Sequence, residues 1–201
     1  CARHLDWGYV DHPPLVALIA RLTRLLVGDS WLALRMLSAV AAAGTVLLVG
    51  DTARELGGGR WALLLAQVLA ATAPVYLSLF SIYSMNGLDV LIWSGLVRIA
   101  VRILAGGSER LWLAFGVLSG IGLENKIDVV LLAAGLVAGL LLTRRFDVFR
   151  SRWIWLGGAA AAALFLPHVA WQVLHGWPTR EFVANAQRDK ITPLGPIGFV
   201  A

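Results

Sequence analysis

The residues best suited to chemistry lie in the stretch GLENKID, residues 122–128. Glu124, Lys126 and Asp128 interrupt an otherwise nearly continuous apolar sequence. Ionisable side chains within apolar sequence are costly and tend to be paired or functional. Such a lysine could neutralise a phosphate as a compact point charge. The alternative interpretation is a simple polar turn between two short helices.

A second candidate precedes a double proline, where Asp11 and His12 lead into Pro13 and Pro14. A carboxylate beside an imidazole can bind a divalent metal, hold a phosphate or shuttle a proton. The alternative is that Asp11 caps the following helix while His12 is solvated. Both interpretations are open at this point.

Further polar residues lie near the ends of apolar stretches. Asn86 and Asp89 are either helix caps or part of a polar cavity. Arg35 lies about one turn inside an apolar stretch, where it could meet an anionic head group. His168 and His175 follow a later stretch, but their spacing matches no metal-binding motif.

The composition indicates that these groups belong to a membrane protein. The chain is 59% hydrophobic and only 14% charged, and its mean hydropathy is +0.76. Apolar stretches of about 20 residues, enough to span a bilayer, recur along it. We therefore predict an all-α, polytopic helical membrane protein. Its expected spans are 31–50, 61–80, 88–104, 111–123, 127–143 and 153–170.

Charge and cysteine usage exclude other classes. The net charge of +5 could suggest nucleic acid, but the arginines lie mainly at segment ends, where topology explains them. We therefore expect membrane lipids and no nucleic acid among the partners. The single cysteine, Cys1, excludes an intrachain disulfide and a cysteine-based zinc site.

The arginine-rich segment 143–152 predicts a cytoplasmic loop, whereas 81–87 and 124–126 are expected to face outward. Residues 1–30 would then form a periplasmic loop, 31–170 six transmembrane helices, and 171–201 a periplasmic loop with the start of a further helix. A helix from Leu15 to Val27 is too short to cross a bilayer and should lie in its outer interface.

The unusual polar residues thus gather on the predicted outer side, which favours an enzyme with an outward-facing site. A lipid or small-molecule transporter or flippase would instead require polar residues at mid-span and internal repeats. A structural anchor for a partner enzyme would have unremarkable loops on both sides. These two classes are the alternatives.

Five segments carry a family resemblance: GYVDHPPLVALIARL, GDSWLALRMLSAVAAAGTVLLVGDTARELGGGRWA, SMNGLDVLIW, GVLSGIGLENK and LPHVAWQVLHGWPT. In this order they resemble the bacterial relatives of dolichyl-phosphate-mannose protein mannosyltransferases and the aminoarabinose transferases, which are GT-C type glycosyltransferases. The resemblance implies a multi-pass protein of the bacterial inner membrane. It also implies a polyprenyl-phosphate sugar as donor and a lipid, glycan or protein acceptor on the periplasmic side.

The resemblance also suggests roles for individual residues. It implies that Lys126 contacts the donor phosphate, and that Asp11 and His12 lie near that phosphate or a divalent metal. It also implies that Asn86 is the polar residue at the outer end of the predicted span 88–104. The family often has lysine where this chain has His12. We predict a phosphate site of Lys126, His12 and Arg35 beside a polar cavity with Asp11, Asn86, Asp89 and Glu124.

The catalytic acid of the family precedes the double proline. The nearest acid in this chain is Asp6, whose surroundings do not look like that motif. We therefore expect the chain to be part of a longer protein, with its main acid upstream of Cys1, and to be inactive alone.

Overall fold

The computed structural model describes residues 4–189, and within this range every regular element is a helix. The prediction of an all-α fold is confirmed. The α-helices, numbered in chain order, are α1 Leu15–Val27, α2 Trp31–Glu55, α3 Arg60–Thr72, α4 Pro74–Phe80, α5 Met85–Leu104, α6 Leu111–Leu123, α7 Val129–Leu142, α8 Arg152–Leu174 and α9 Pro178–Asp189. A short 3-10 helix, Phe146–Arg150, precedes α8.

The short helix α1 begins after Pro14 and ends at Gly28, whose positive φ of 84° closes the helix. Its 13 residues extend about 20 Å, less than the thickness of a bilayer. Its last turn exposes Leu25 and Leu26, at 69% and 83%. The bounds predicted for this helix are confirmed, and its exposed leucines suit an interface.

Two helices, α2 and α8, are long and apolar enough to cross a membrane. A third candidate is the pair α3 and α4, which is bent by 58°. The bend follows from Pro74, which begins α4 after an extended Ala73. The predicted span 61–80 is therefore a broken helix.

The remaining predicted spans differ from this pattern. The helix α5 has 20 residues but carries Asp89, Arg98 and Arg102, and α6 and α7 have only 13 and 14 residues. By length and composition the described residues therefore contain two or three candidate spans. A total of six spans stays a prediction.

The helices pack mainly in the order α3, α2, α5, α6 and α8. The core lies between α5, α6 and the start of α7, where Leu96 and Val129 are almost fully buried. By contrast, Leu131 and Leu142 of α7 are 69% and 85% exposed. Large exposed apolar side chains of this kind belong in lipid rather than water.

Candidate functional site at the start of α5 and α7

Three chain segments meet where α5 and α7 begin. The backbone N–H of Leu15 donates to the carbonyl of Glu124 at 2.8 Å, which docks the start of α1 on the turn between α6 and α7. The fully buried Asn125 donates from Nδ2 to the carbonyl of Met85 at 2.9 Å. The turn 124–128 is thereby held against the first turn of α5.

The hydroxyl of Tyr83 completes this junction by donating to the carbonyl of Val16 at 2.8 Å. Burial raises the pKa of Tyr83, so its hydroxyl stays protonated and remains a donor. The segment before α5 is therefore tied to α1, and α1 to the turn 124–128.

At the centre of the junction Lys126 lies between two carboxylates. Its Nζ is 2.7 Å from Oδ2 of Asp128 and 3.4 Å from Oδ2 of Asp89. Burial by itself lowers the pKa of Lys126, but the hydrogen bond to Asp128 and the charge of Asp89 outweigh it, so that the pKa is raised. The lysine is therefore a stable cation whose charge is already balanced.

Glu124 belongs to the same turn but forms no ion pair with Lys126 among the described residues. Burial raises the pKa of Glu124 to about 7. Its Oε1 is buried without a hydrogen-bond partner within residues 4–189. Oδ1 of Asp89, of Asp128 and of Asn125 share this condition. The junction therefore holds a surplus of acceptor oxygens.

The alternatives left open for this region are now decided in part. Asp89 is not a helix cap, because it lies inside α5 and is only 8% exposed. Asn86 lies in the first turn of α5 and is half-buried, and it is Ser84 that occupies the N-cap position. The segment ENK is a turn, as the simpler interpretation held, but it also presents a paired lysine.

Asp11 and His12 lie apart from this ion pair. Nε2 of His12 is 3.8 Å from Oδ1 of Asp11, and its Nδ1 lies 2.8 Å from the carbonyl of Pro13. Neither residue bonds to Lys126 within the part of the chain that is described. No group of three or more His, Cys, Asp or Glu among residues 4–189 is arranged to hold a metal ion. A metal at Asp11 and His12 would thus need other ligands.

Arg35 lines a separate cleft of about 580 Å³. Trp31 of α2 and Ser81, Ile82 and Tyr83 of the turn before α5 line it as well. The predicted phosphate site of Lys126, His12 and Arg35 therefore stays a prediction, in which Tyr83 is the link between the Arg35 cleft and the junction.

The interpretation of His168 as a residue beyond the last span needs correction, whereas His175 does follow the helix, at its C-cap position. Because α8 continues to Leu174, His168 lies inside the helix. It is 1% exposed and its Nδ1 lies 3.0 Å from the carbonyl of Trp7, to which it donates. His168 therefore fixes the N-terminal segment on α8. Trp171 stacks on His175 at 4.4 Å between ring centroids.

Sequence reasoning missed the ion-pair partner of Lys126 on another helix and the burial of Asn125. One signal was available for Asp89, because an acid inside an apolar helix requires a cation. Arg98, Arg102 and Arg110 lie toward the predicted cytoplasmic side. The next basic residue along the chain is Lys126, on the predicted outer side. The contact across 37 residues depends on tertiary packing, which local patterns do not reveal.

Apolar helices that gather paired charges and buried acceptors at one end define a helical membrane protein with a polar site at that end. Residues 11–171 match the family model described as dolichyl-phosphate-mannose-protein mannosyltransferase, and the chain belongs to that family. No curated protein and no solved structure matches the chain significantly. The family confirms the resemblance to GT-C type enzymes and implies membrane glycosyltransferase activity.

Proposed function

We propose that the protein transfers a sugar from a polyprenyl-phosphate donor to an acceptor on the periplasmic side of the bacterial inner membrane. The family supports the reaction class and a lipid-linked donor. The observation that carries the assignment to this site is the charged Lys126 at the end of two apolar helices. In this proposal that end of the helices reaches the membrane surface, where a cation meets the phosphate of a lipid.

Lys126 has the donor capacity that this role requires. An ammonium has three N–H donors, and Asp89 and Asp128 accept from it. The side chain is 35% exposed, so a remaining donor is accessible. In this proposal the phosphate takes that donor, with His12 and Arg35 as further contacts.

The proposed reaction is a displacement with inversion at the anomeric carbon. The acceptor oxygen forms a bond to this carbon and gives its proton to a base, while the bond from the carbon to the phosphate oxygen breaks. The electron pair of that bond leaves with the polyprenyl phosphate. Since charge grows on the leaving oxygen, Lys126 stabilises the transition state more than the bound donor.

Turnover of polyprenyl-phosphate mannose by the full-length protein in membranes tests this role. Lys126→Met keeps the length and removes the charge, and should lower turnover at least about a hundredfold, as the loss of an oxyanion-type contact does. Lys126→Arg should recover part of it, because the guanidinium is larger and planar. Arg54→Met, at an exposed position of α2, is the control. Turnover by Lys126→Met at the parent rate would contradict the assignment.

A further inference from the structure

Two arginines share one indole where α6 and α8 begin. The guanidinium carbon Cζ of Arg110 lies 5.8 Å from the centroid of the Trp153 ring, and Cζ of Arg152 lies 5.1 Å from it. Arg110 is the residue before α6, and Arg152 is the first residue of α8. Both are exposed. Stacking on one ring thus holds two positive charges beside each other, although like charges repel.

This arginine pair, Arg110 and Arg152, has no acidic partner in the described part of the chain. Arg145, in the loop before α8, is by contrast paired with Asp147. The acid next to the pair in sequence is Glu109, which accepts a hydrogen bond from the hydroxyl of Ser151 at 2.6 Å. The starts of α6 and α8 add the positive ends of two helix dipoles. An anion held by both guanidinium groups would relieve their repulsion.

An apolar groove of about 270 Å³ follows α6 between α7 and α8. On α6 its lining extends from Trp112 to Leu123, a rise of about 16 Å. Gly157 and Gly158 line it on α8, where the lack of side chains keeps it open. Apart from Ser119, the side chains that line it are aliphatic or aromatic. A long groove with this lining suits one alkyl chain of a lipid.

The groove begins at the same end of α6 as the arginine pair. Two of its lining residues, Trp112 and Ile154, follow Arg110 and Arg152 by two positions each. A charged site and an apolar groove that begins beside it match the two parts of an amphiphile. The charge of the site requires that the polar part of this amphiphile be an anion.

We propose that the arginine pair and the groove together bind an anionic phospholipid, whose phosphate contacts both guanidinium groups and one of whose acyl chains lies along α6. Arginine presents parallel N–H donors that match a phosphate, and basic sites beside membrane helices bind anionic head groups. The inference goes beyond the proposed function, because α6 has 13 residues and separates the arginine pair from the turn with Lys126 by about 20 Å.

Binding of two phospholipids with the same acyl chains to the purified full-length protein tests the inference by native mass spectrometry. Phosphatidylglycerol is anionic and phosphatidylcholine is zwitterionic, so the ratio of their dissociation constants measures recognition of the charge. The parent should prefer phosphatidylglycerol. Arg110→Gln and Arg152→Gln should each lower this preference about fivefold. Arg54→Gln removes an exposed arginine of α2 and, as the matched control, should leave it unchanged.

The groove requires a separate variant. Gly158→Leu places a side chain in the groove, where apart from its chain neighbours and the adjacent backbone of α8 no described atom lies within 4 Å of a Cβ. It should weaken binding of dioleoyl phosphatidylglycerol and leave binding of the dihexanoyl lipid unchanged, because short chains fill little of the groove. Gly135→Leu is the matched control, since Gly135 is exposed on α7 in similarly open surroundings and does not line the groove. Thermal unfolding without lipid verifies the fold of each variant.

Lys126→Met distinguishes this site from the proposed donor site. It should leave the preference for phosphatidylglycerol unchanged, whereas loss of the preference would place the anion near Lys126 and overturn the inference. A parent that binds both phospholipids equally, or arginine variants that keep the full preference, would show that the arginine pair serves topology alone. An unchanged affinity of Gly158→Leu for the dioleoyl lipid would overturn the placement of the acyl chain.

Discussion

Gly116 of α6 and Gly157 of α8 lie in direct contact, backbone against backbone. A Cβ on Gly116 would overlap the carbonyl of Gly157, and a Cβ on Gly157 would overlap the carbonyl of Trp112. Small residues allow helices in a membrane to approach this closely. The contact explains why α6 and α8 form the most extensive helix pair among the described residues.

Gly157→Ala should therefore force α6 and α8 apart. We expect the free energy of unfolding to fall by about 1–3 kcal/mol, as overpacking does. Gly158→Ala is the control one residue away, because apart from its chain neighbours and the adjacent backbone of α8 no described atom lies within 4 Å of a Cβ there. It should be neutral or slightly stabilising, given the better helix propensity of alanine. Thermal unfolding in detergent compares the two, and equal melting temperatures would disprove the close contact.

A second prediction concerns the arginines of α5. Nε of Arg98 lies 3.2 Å from Oδ2 of Asp51, and its Nη2 lies 3.9 Å from Oε1 of Glu55. These pairs join α5 to α2, so Arg98 does more than extend toward the membrane surface. Arg98→Leu should cost about 1–3 kcal/mol, because the acids of α2 lose a charged partner.

The double variant Arg98→Leu, Asp51→Leu should regain part of that stability, since it removes both charges. Arg102→Leu should cost less, because Arg102 is 51% exposed and its ion pair within the described residues is with Glu55 alone, whereas Arg98 contacts both Asp51 and Glu55. Unfolding in denaturant measures these three variants and the single variant Asp51→Leu. The pairing is contradicted if the double variant loses more free energy of unfolding than Arg98→Leu and Asp51→Leu lose together.

The third prediction is a pH dependence of stability. The pKa of Glu124 is raised to about 7 by burial, so the folded state holds this proton more tightly than the unfolded chain does. The stability from this proton is complete below the ordinary pKa of 4.5 and is lost as the pH rises through about 7.

Glu124→Gln mimics the protonated side chain, so its melting temperature should exceed that of the parent at alkaline pH and match it at acidic pH. Glu181→Gln, at an exposed position of α9, should follow the parent throughout. Parallel pH profiles for Glu124→Gln and the parent would show that Glu124 does not carry the effect.

The fourth prediction is the sidedness of the loops. Residues 143–152 should be cytoplasmic and residues 171–189 periplasmic, because arginine-rich loops stay inside. Ser151 is a poor labelling site, since it is buried and donates to Glu109 at 2.6 Å. The exposed positions Asp147 and Glu181 are better.

In a Cys1→Ser background, an impermeant maleimide on intact spheroplasts should label Glu181→Cys and leave Asp147→Cys unlabelled. Both should react after the membrane is permeabilised. The opposite pattern would invert the topology.

Sequence patterns predicted much of this fold because apolar length and proline are local signals. The bounds of α1 follow from Pro14 and Gly28, and the extent of α2 and α8 follows from hydropathy to within a few residues. The break at Ala73 was missed because the apolar run continues through this position, although Pro74 is a local signal for a helix break. The extension of α8 from residue 170 to Leu174 was missed because Gln172 interrupts the apolar run although the helix continues through it.

The site was predicted less completely. Lys126 could be identified because a lysine in apolar sequence is unusual by itself. The identity of Asp89 as its partner depends on how α5 packs against the turn 124–128. That packing is set by nonlocal contacts such as Asn125 to Met85, which have no signature in sequence spacing.

The charges of α5 have a consequence for biosynthesis. If α5 crosses the membrane, each uncompensated charge adds up to about 2.5–3.5 kcal/mol to the free energy of its insertion, and less toward the ends of the helix. Asp51 and Glu55, the partners of its arginines, lie on α2 and leave the ribosome first. Lys126, the partner of Asp89, leaves the ribosome after α5. In a nascent chain that ends before Lys126, Asp89 of α5 would therefore still lack its cation, which the turn 124–128 supplies once it is synthesised.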